Sequence, residues 1–323
     1  MSVHPAIETV NDRIHRDVIG GAADMAKEVV QAMQQVIHTS SAQNADELGR
    51  ELEAAVMGVL TVLPSFAPPL NALHRVMKQV EDSRASNHDL ATMRSEVLGA
   101  IDAFLAFAGG ALRNVAIYGS EAIPDGGTLF MYSMSSTVWK VIKEAHDQGK
   151  RFRVIVTESR PANEGMWTVE RMIEYGIPVE VSIDAAIGVL IPESDVVMVG
   201  ADSVAASGDV LCKVGTYPSA LVAREHGVPF YIAADTLKFD TSTLLGLPFR
   251  VDPVPRHEVL KEGEYDQART TGVLFDVTPP SLIKAIITER GFINPAAAYT
   301  VIQEMPLSKT IFDKLPDWAH GRL

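Results

Sequence analysis

The chain has 323 residues, 47% of them hydrophobic and 21% charged, which excludes a disordered or fibrous chain and leaves length for two cores. Its formal net charge of −13 repels phosphate backbones and argues against nucleic acid as a partner. The single cysteine, Cys212, excludes an intrachain disulfide and points to the reducing cytosol.

The first seventeen residues include polar and charged ones where a signal peptide needs an apolar run. The longest apolar stretch expected, 54–63, contains Gly58 and Thr61 and is too short to span a bilayer, so no membrane partner is expected. Residues 1–115 read as helices only. Asp46 is placed as the cap of a helix in which Leu48, Leu52, Val56, Val59 and Leu63 recur at three- and four-residue steps. Pro64, Pro68 and Pro69 then break the chain. A second stripe carries Leu70, Leu73, Val76 and Val80, and a third runs from Asp89 through Met93, Val97, Ile101 and Leu105. Such stripes need each other to bury their apolar faces, which implies a small bundle.

After Ile117 the period changes. Short β-rich runs at 128–133, 151–157, 178–183, 195–200 and 229–234 alternate with helical stretches, including Ser136 to Gln148, Gly165 to Tyr175 and Tyr217 to His226. Continuous apolar strands alternating with helices imply a parallel sheet covered on both faces. The expected class is therefore α/β: an N-terminal helical bundle (1–115) followed by a Rossmann-like domain (116–323).

Ligands of such sheets bind beyond the carboxyl ends of the strands, so the residues just after each strand carry the chemistry. Ser133, Ser135 and Ser136 follow the first strand and open a helix; they fit an anion site, or Ser135 and Ser136 simply cap that helix. Arg160 follows the second strand, as a phosphate grip or the partner of a carboxylate. Asp184 follows the third and is equally readable as a cap. The densest set follows the fourth: Asp202 at a buried strand end, then Asp209, Cys212, Lys213, Gly215 and Thr216. Asp202 fits a proton-transfer role, and Lys213 with the amides and hydroxyl of 214–217 fits a phosphate cradle; turn residues are the plainer alternative. Lys238 follows the fifth strand and reaches the same rim or is simply solvated. Glu289 and Arg290 tie the C-terminal segment to the sheet. The nine histidines show no metal-binding spacing, and there is no GxGxxG after a strand and no P-loop; neither a metal nor a cofactor is expected.

The stretches GADSVAASGDVLCKVGTYPSALVAREHGVPFYIAADTLKFD (200–240), VTESRPANEG (156–165) and FDVTPPSLIKAIITERGFINPAAA (275–298) together resemble the initiation factor 2B family. That family includes regulatory subunits of the translation factor and isomerases of methylthioribose 1-phosphate and ribose 1,5-bisphosphate. The last stretch is especially like the archaeal ribose-1,5-bisphosphate isomerases. The resemblance covers residues 115–300 well and the helical domain in outline. It implies a catalytic cysteine at the end of the first strand and a catalytic aspartate in GAD. The aspartate is present as Asp202; the cysteine position holds Ser133. The family's Asn-Lys-Ile-Gly is Cys212-Lys213-Val214-Gly215 here, and its Arg-Gly-Ala phosphate loop is matched by Gly20-Gly21-Ala22 without the arginine.

The resemblance thus implies an aldose-ketose isomerase acting on a phosphorylated sugar, with Asp202 in proton transfer, Ser133 and Ser135 positioning the sugar, and Lys213, Thr216, Arg160 and Lys238 on phosphate or hydroxyls. A serine hydroxyl needs a base to do what a thiol does alone. Cys212, if it faces the sugar beside Lys213, is expected to be partly thiolate and to replace the missing thiol; the alternative is a buried apolar filler. Two other readings stand beside the enzyme: a sugar-phosphate or nucleotide sensor without chemistry, and a translation-factor-like scaffold. A homodimer through the C-terminal domain, or a hexamer, is what the resemblance implies.

Overall fold

A computed structural model describes residues 4–16, 19–249, 251, 253–265 and 267–319. By contacts the chain forms two compact units. One comprises Met1–Gly110, Leu237–Arg250 and Tyr299–Leu323; the other comprises Ala111–Thr236 and Val251–Ala298. Chain order alone assigns 237–249 and 299–319 to the second domain, whereas their contacts lie with the N-terminal helices.

The helical unit holds α1 (Pro5–His15), α2 (Ala22–Thr39), α3 (Ala45–Leu60), α4 (Ala67–Ala85) and most of α5 (Leu90–Glu121). Their stripes meet in one core containing Val29, Met33, Leu52, Val56, Leu73 and Met77, all fully buried. Two local expectations are corrected. Asn44, not Asp46, caps α3, its side chain accepting from Glu47 N at 2.9 Å, because the helix begins one residue before Asp46. Pro68 and Pro69 do not break the chain but sit in the first turn of α4, where no N–H is required. A third correction concerns α5. At 32 residues it is long and apolar enough to cross a membrane by length and composition, which the shorter 54–63 stretch is not. Met93, Val97, Ile101 and Phe104 bury one face of it in the helical core.

The second unit is built on seven strands: β1 (Thr128–Met131), β2 (Arg153–Thr157), β3 (Val179–Ser182), β4 (Val196–Val199), β7 (Phe230–Ala233), β9 (Ala285–Thr288) and β10 (Gly291–Ile293). Their order is β10-β9-β7-β4-β1-β2-β3, parallel except for the β9–β10 hairpin. The inner strands β1 and β4 are buried along their whole length, as expected for a sheet covered on both faces. The connecting helices are α6 (Ser136–Asp147), α7 (Gly165–Tyr175), the short α8 (Ile187–Leu190) and α9 (Thr216–Glu225). A second, antiparallel sheet of β5 (Ser203–Val204), β6 (Val210–Lys213) and β8 (Phe275–Thr278), not foreseen in the sequence, carries the residues after β4 back toward α9.

Candidate functional site

The strand order reverses between β1 and β4, the place where open α/β sheets bind ligands. In their register Leu129 faces Val196 and Phe130 faces Val197, and Ser133 and Gly200 follow the ends of these two strands. Asp202 follows two residues later, half-buried, its N–H donating to Leu211 O at 2.9 Å where β5 and β6 begin to pair. Gly200 leaves room that another residue would fill, since a Cβ there would lie 2.5 Å from Ser135 Oγ. Ser135 caps α6, accepting from Val138 N at 3.2 Å, so the capping reading holds and the same hydroxyl borders Gly200. Ser136 is the exposed first residue of α6.

Ser133 is buried and adopts a left-handed backbone with φ of 62°, uncommon for any residue but glycine. Its N–H donates to Ser159 Oγ at 2.8 Å and its Oγ donates to Glu164 Oε2 at 2.6 Å. The other oxygen of Glu164 pairs with Lys213 Nζ at 2.9 Å, and that ammonium also sits 4.9 Å from the Phe275 ring centre. Ser159, itself left-handed at φ 60°, and Arg160 present their backbone N–H groups to the two oxygens of Asp184 at 2.9 and 2.7 Å. Asp184 thus orders the turn after β2 rather than capping its own 3₁₀ turn.

The expected phosphate cradle at 214–217 is already occupied. Val214 N donates to Leu274 O, and the N–H groups of Gly215 and Tyr217 donate to the Asp276 carboxylate at 2.7 and 3.1 Å. Asp276 on β8 caps α9, the position an anion was expected to take. Burial raises its pKa to about 6 against the pull of those N–H groups. Thr216 is buried and donates its hydroxyl to Lys213 O at 2.7 Å. Gly215, at φ 110°, is needed because a Cβ would meet Tyr132 Oη at 2.2 Å. Tyr132 is itself buried and hydrogen-bonded to Asp184; burial and the nearby Asp184 and Asp276 push its phenol further up.

Cys212 does not have the lowered pKa expected of it. It is buried on β6, and burial together with Asp202 and Asp276 pushes the thiol up to about 12. Burial is the largest cause, and the Lys213 ammonium is directed to Glu164. The filler reading of Cys212 is the one its surroundings support.

Arg160 is exposed and gives one guanidinium N–H to Glu258 O at 3.1 Å, a carbonyl and not a carboxylate; among the described residues no carboxylate forms an ion pair with it. Asp209 lies at the turn end of the β5–β6 hairpin, held by Ser207 Oγ at 2.6 Å, at the far end of β6 from Lys213. Glu289 accepts from Thr236 N and Oγ1 at 2.9 and 2.5 Å, tying the ends of β9 and β7. Gly20, Gly21 and Lys238 belong to the helical unit. A Cβ at Gly20 would meet Asp24 Oδ2 at 2.6 Å, Gly21 precedes α2, and Lys238 is buried. The open cleft of that unit, lined by Asn44, Arg84, His88 and Arg94, contains none of the strand-end residues. Among the described residues no group of three His, Cys, Asp or Glu side chains is placed to hold a metal.

Sequence reasoning missed Glu164, Tyr132 and Asp276 as site residues. Glu164 and Asp276 lie inside the quoted stretches ANEG and FDVTPP, and an acidic residue beside a glycine at a helix start was the available signal for Glu164.

The chain is 34% identical over 308 residues to the ribose 1,5-bisphosphate isomerase of Thermococcus kodakarensis, spanning 94% of this chain and 96% of that one. It is 33% identical over 282 residues to a translation initiation factor eIF-2B subunit 2-like protein of Pyrococcus horikoshii, spanning 87% and 93%. The crystal structure of a translation initiation factor eIF-2B from Pyrococcus horikoshii OT3 superposes with a TM-score of 0.74 at 29% identity, covering 91% of this chain and 98% of that one. The profile of the Initiation factor 2 subunit family matches residues 18–295, so the chain belongs to that family.

Proposed function

We propose that the chain is a sugar-phosphate isomerase of the aldose-ketose type, with ribose 1,5-bisphosphate the first candidate substrate. The observation that supports this reading is that Ser133 and Asp202 follow the two adjacent strands β1 and β4 at which the sheet order reverses, in a chain whose relatives include isomerases of that sugar. Aldose-ketose isomerisation moves the hydrogen of C2 to C1 and the 2-hydroxyl proton to another oxygen of the sugar, so no external reactant is needed. Asp202 is the group for the carbon-bound hydrogen, and Ser133 and Ser135 position the sugar. Arg160 is the better phosphate contact than Lys213, because Lys213 is paired with Glu164 and, among the described residues, no carboxylate pairs with Arg160.

The test is turnover of ribose 1,5-bisphosphate to ribulose 1,5-bisphosphate, beside methylthioribose 1-phosphate and ribose 5-phosphate. Asp202→Asn is expected to lower kcat by about 10²–10⁴-fold, the usual share of acid–base catalysis. Absence of turnover of all three by the parent chain sinks the reading. The second reading, a sugar-phosphate or nucleotide sensor, is favoured by the serine at position 133 and by the protonated, buried Cys212. It is distinguished by binding without turnover.

A further inference from the structure

The isomerase reading leaves a gap at position 133, where a hydroxyl stands in the place the resemblance gives to a thiol. A serine hydroxyl is too weak an acid to exchange protons near neutrality unless a base takes its proton. The structure places such a base against it. Glu164 Oε2 accepts from Ser133 Oγ at 2.6 Å, while Oε1 is held by Lys213 Nζ at 2.9 Å. The two charged side chains are largely shielded, with 20% and 12% of their surfaces exposed. Three features of the backbone converge on this contact. Ser133 takes the left-handed conformation, which turns its side chain out of the alternation of β1. Its N–H is fixed by Ser159 Oγ. Gly165, directly after Glu164, lets the loop fold back on β2, since any Cβ there would lie 1.9 Å from Thr157 O.

We propose that Ser133, Glu164 and Lys213 form a proton relay that replaces the thiol; the proposal rests on the isomerase reading above. Ser133 is the catalytic group, and Glu164 and Lys213 are positioning residues that act through it. As a sugar hydroxyl gives its proton to Ser133 Oγ, the Ser133 proton passes to Glu164 Oε2. On the return, Glu164 gives the proton back to Ser133, and Ser133 Oγ delivers one to the sugar oxygen that gains it. The C2–H bond that breaks and the C1–H bond that forms belong to Asp202. Protons and electrons balance over the cycle. Lys213 Nζ holds Glu164 Oε1 and so leaves Oε2 directed at Ser133 Oγ. The plainer account is that Glu164 only anchors the loop after β2, and the two accounts differ in what a thiol at position 133 would do.

The experiment compares kcat and KM for ribose 1,5-bisphosphate in the parent, Glu164→Gln, Ser133→Cys and the double variant, with urea midpoints as the control for folding. Glu164→Gln keeps the size and one acceptor but loses the base, so kcat is expected to fall by about 10²-fold or more with KM within about twofold. A thiol is a far stronger acid than a serine hydroxyl and depends less on a neighbouring base, so the double variant is expected to keep the kcat of Ser133→Cys within about threefold. If Ser133→Cys does not fold, chemical rescue decides: formate, but not chloride at equal ionic strength, restores turnover to Glu164→Ala. Parental kcat in Glu164→Gln, an equal loss in both backgrounds, or no rescue by formate overturns the relay and leaves the isomerase reading standing. No turnover by the parent overturns both, and is seen before any variant is compared.

Discussion

Single residues in the α/β unit show how burial sets acid–base character against first expectation. Lys213 lies next to Cys212 in sequence, yet the alternation of a strand sends the two side chains to opposite faces. The ammonium goes to Glu164, and the thiol goes to a buried environment beside Asp202 and Asp276. Asp276 has the converse problem. It accepts N–H groups that favour its charge, but burial prevails and its pKa rises from 3.8 to about 6. The sign of the consequence follows from proton counts. Between about pH 4 and pH 6 the folded chain holds a proton here that the unfolded chain has released. The contribution of Asp276 is therefore fully present below the unfolded value and is lost as pH rises through about 6. Asp276→Asn keeps an acceptor for the α9 amides without titrating. The stability of the parent relative to this variant, read as urea midpoints, is expected to fall from pH 4 to pH 6; a difference that does not change with pH contradicts the assignment.

At the scale of elements, the site depends on two glycines that let backbones approach. Gly215 admits the Tyr132 ring at the start of α9, and Gly165 admits the loop between β2 and α7 against Thr157 O. Gly165→Ala forces that loop outward and carries Glu164 away from Ser133. The expected cost is about 1–3 kcal/mol of stability, typical of overpacking, together with a drop in turnover. Thermal or urea unfolding checks the first, and full activity with unchanged stability would show that the loop relaxes freely. The helix itself, Gly165–Tyr175, was legible in the sequence to the residue, because its apolar positions recur at helical spacing. The strands 153–157, 179–182, 196–199 and 230–233 lie within the runs read from the sequence for the same kind of reason. The β5–β6–β8 sheet was not legible. Its strands are two to four residues long, and β6 pairs with β8 across some 60 positions, so no local period announces them.

At the scale of the whole molecule, chain order and contact diverge. Residues 237–249 leave the end of the β7 segment and pack with the N-terminal helices, as do residues 299–319. Asn71 on α4 holds the first of these: Nδ2 donates to Leu237 O and Phe239 O at 2.8 and 2.7 Å, and Oδ1 accepts from Thr241 Oγ1 at 3.0 Å. Glu81 on the same helix holds the second through Ser308 Oγ and the N–H groups of Lys309 and Thr310. Asn71→Ala removes three buried bonds and strands their partners. A loss of roughly 2–5 kcal/mol is expected, from about 1–3 kcal/mol for each buried group left unpaired with partial relaxation. Unfolding midpoints measure it, and a loss below about 1 kcal/mol would mean that water replaces the side chain.

By itself the sequence determined the class of fold, because periodicity of apolar residues is local and survives without knowledge of partners. It also determined where to look, since strand ends follow from strands: Ser133, Asp202 and Lys213 were all found that way. Only the tertiary structure decided what those residues meet. Glu164 reaches Ser133 from 31 positions away through a loop whose path is set by Gly165, and Asp276 reaches the α9 amides from about 60 positions away across a sheet. Both are carboxylates whose sequence neighbours say nothing of their partners. Hydrogen bonds and pKa values are fixed by distance and burial in space, which contacts between remote segments create and a local pattern does not contain.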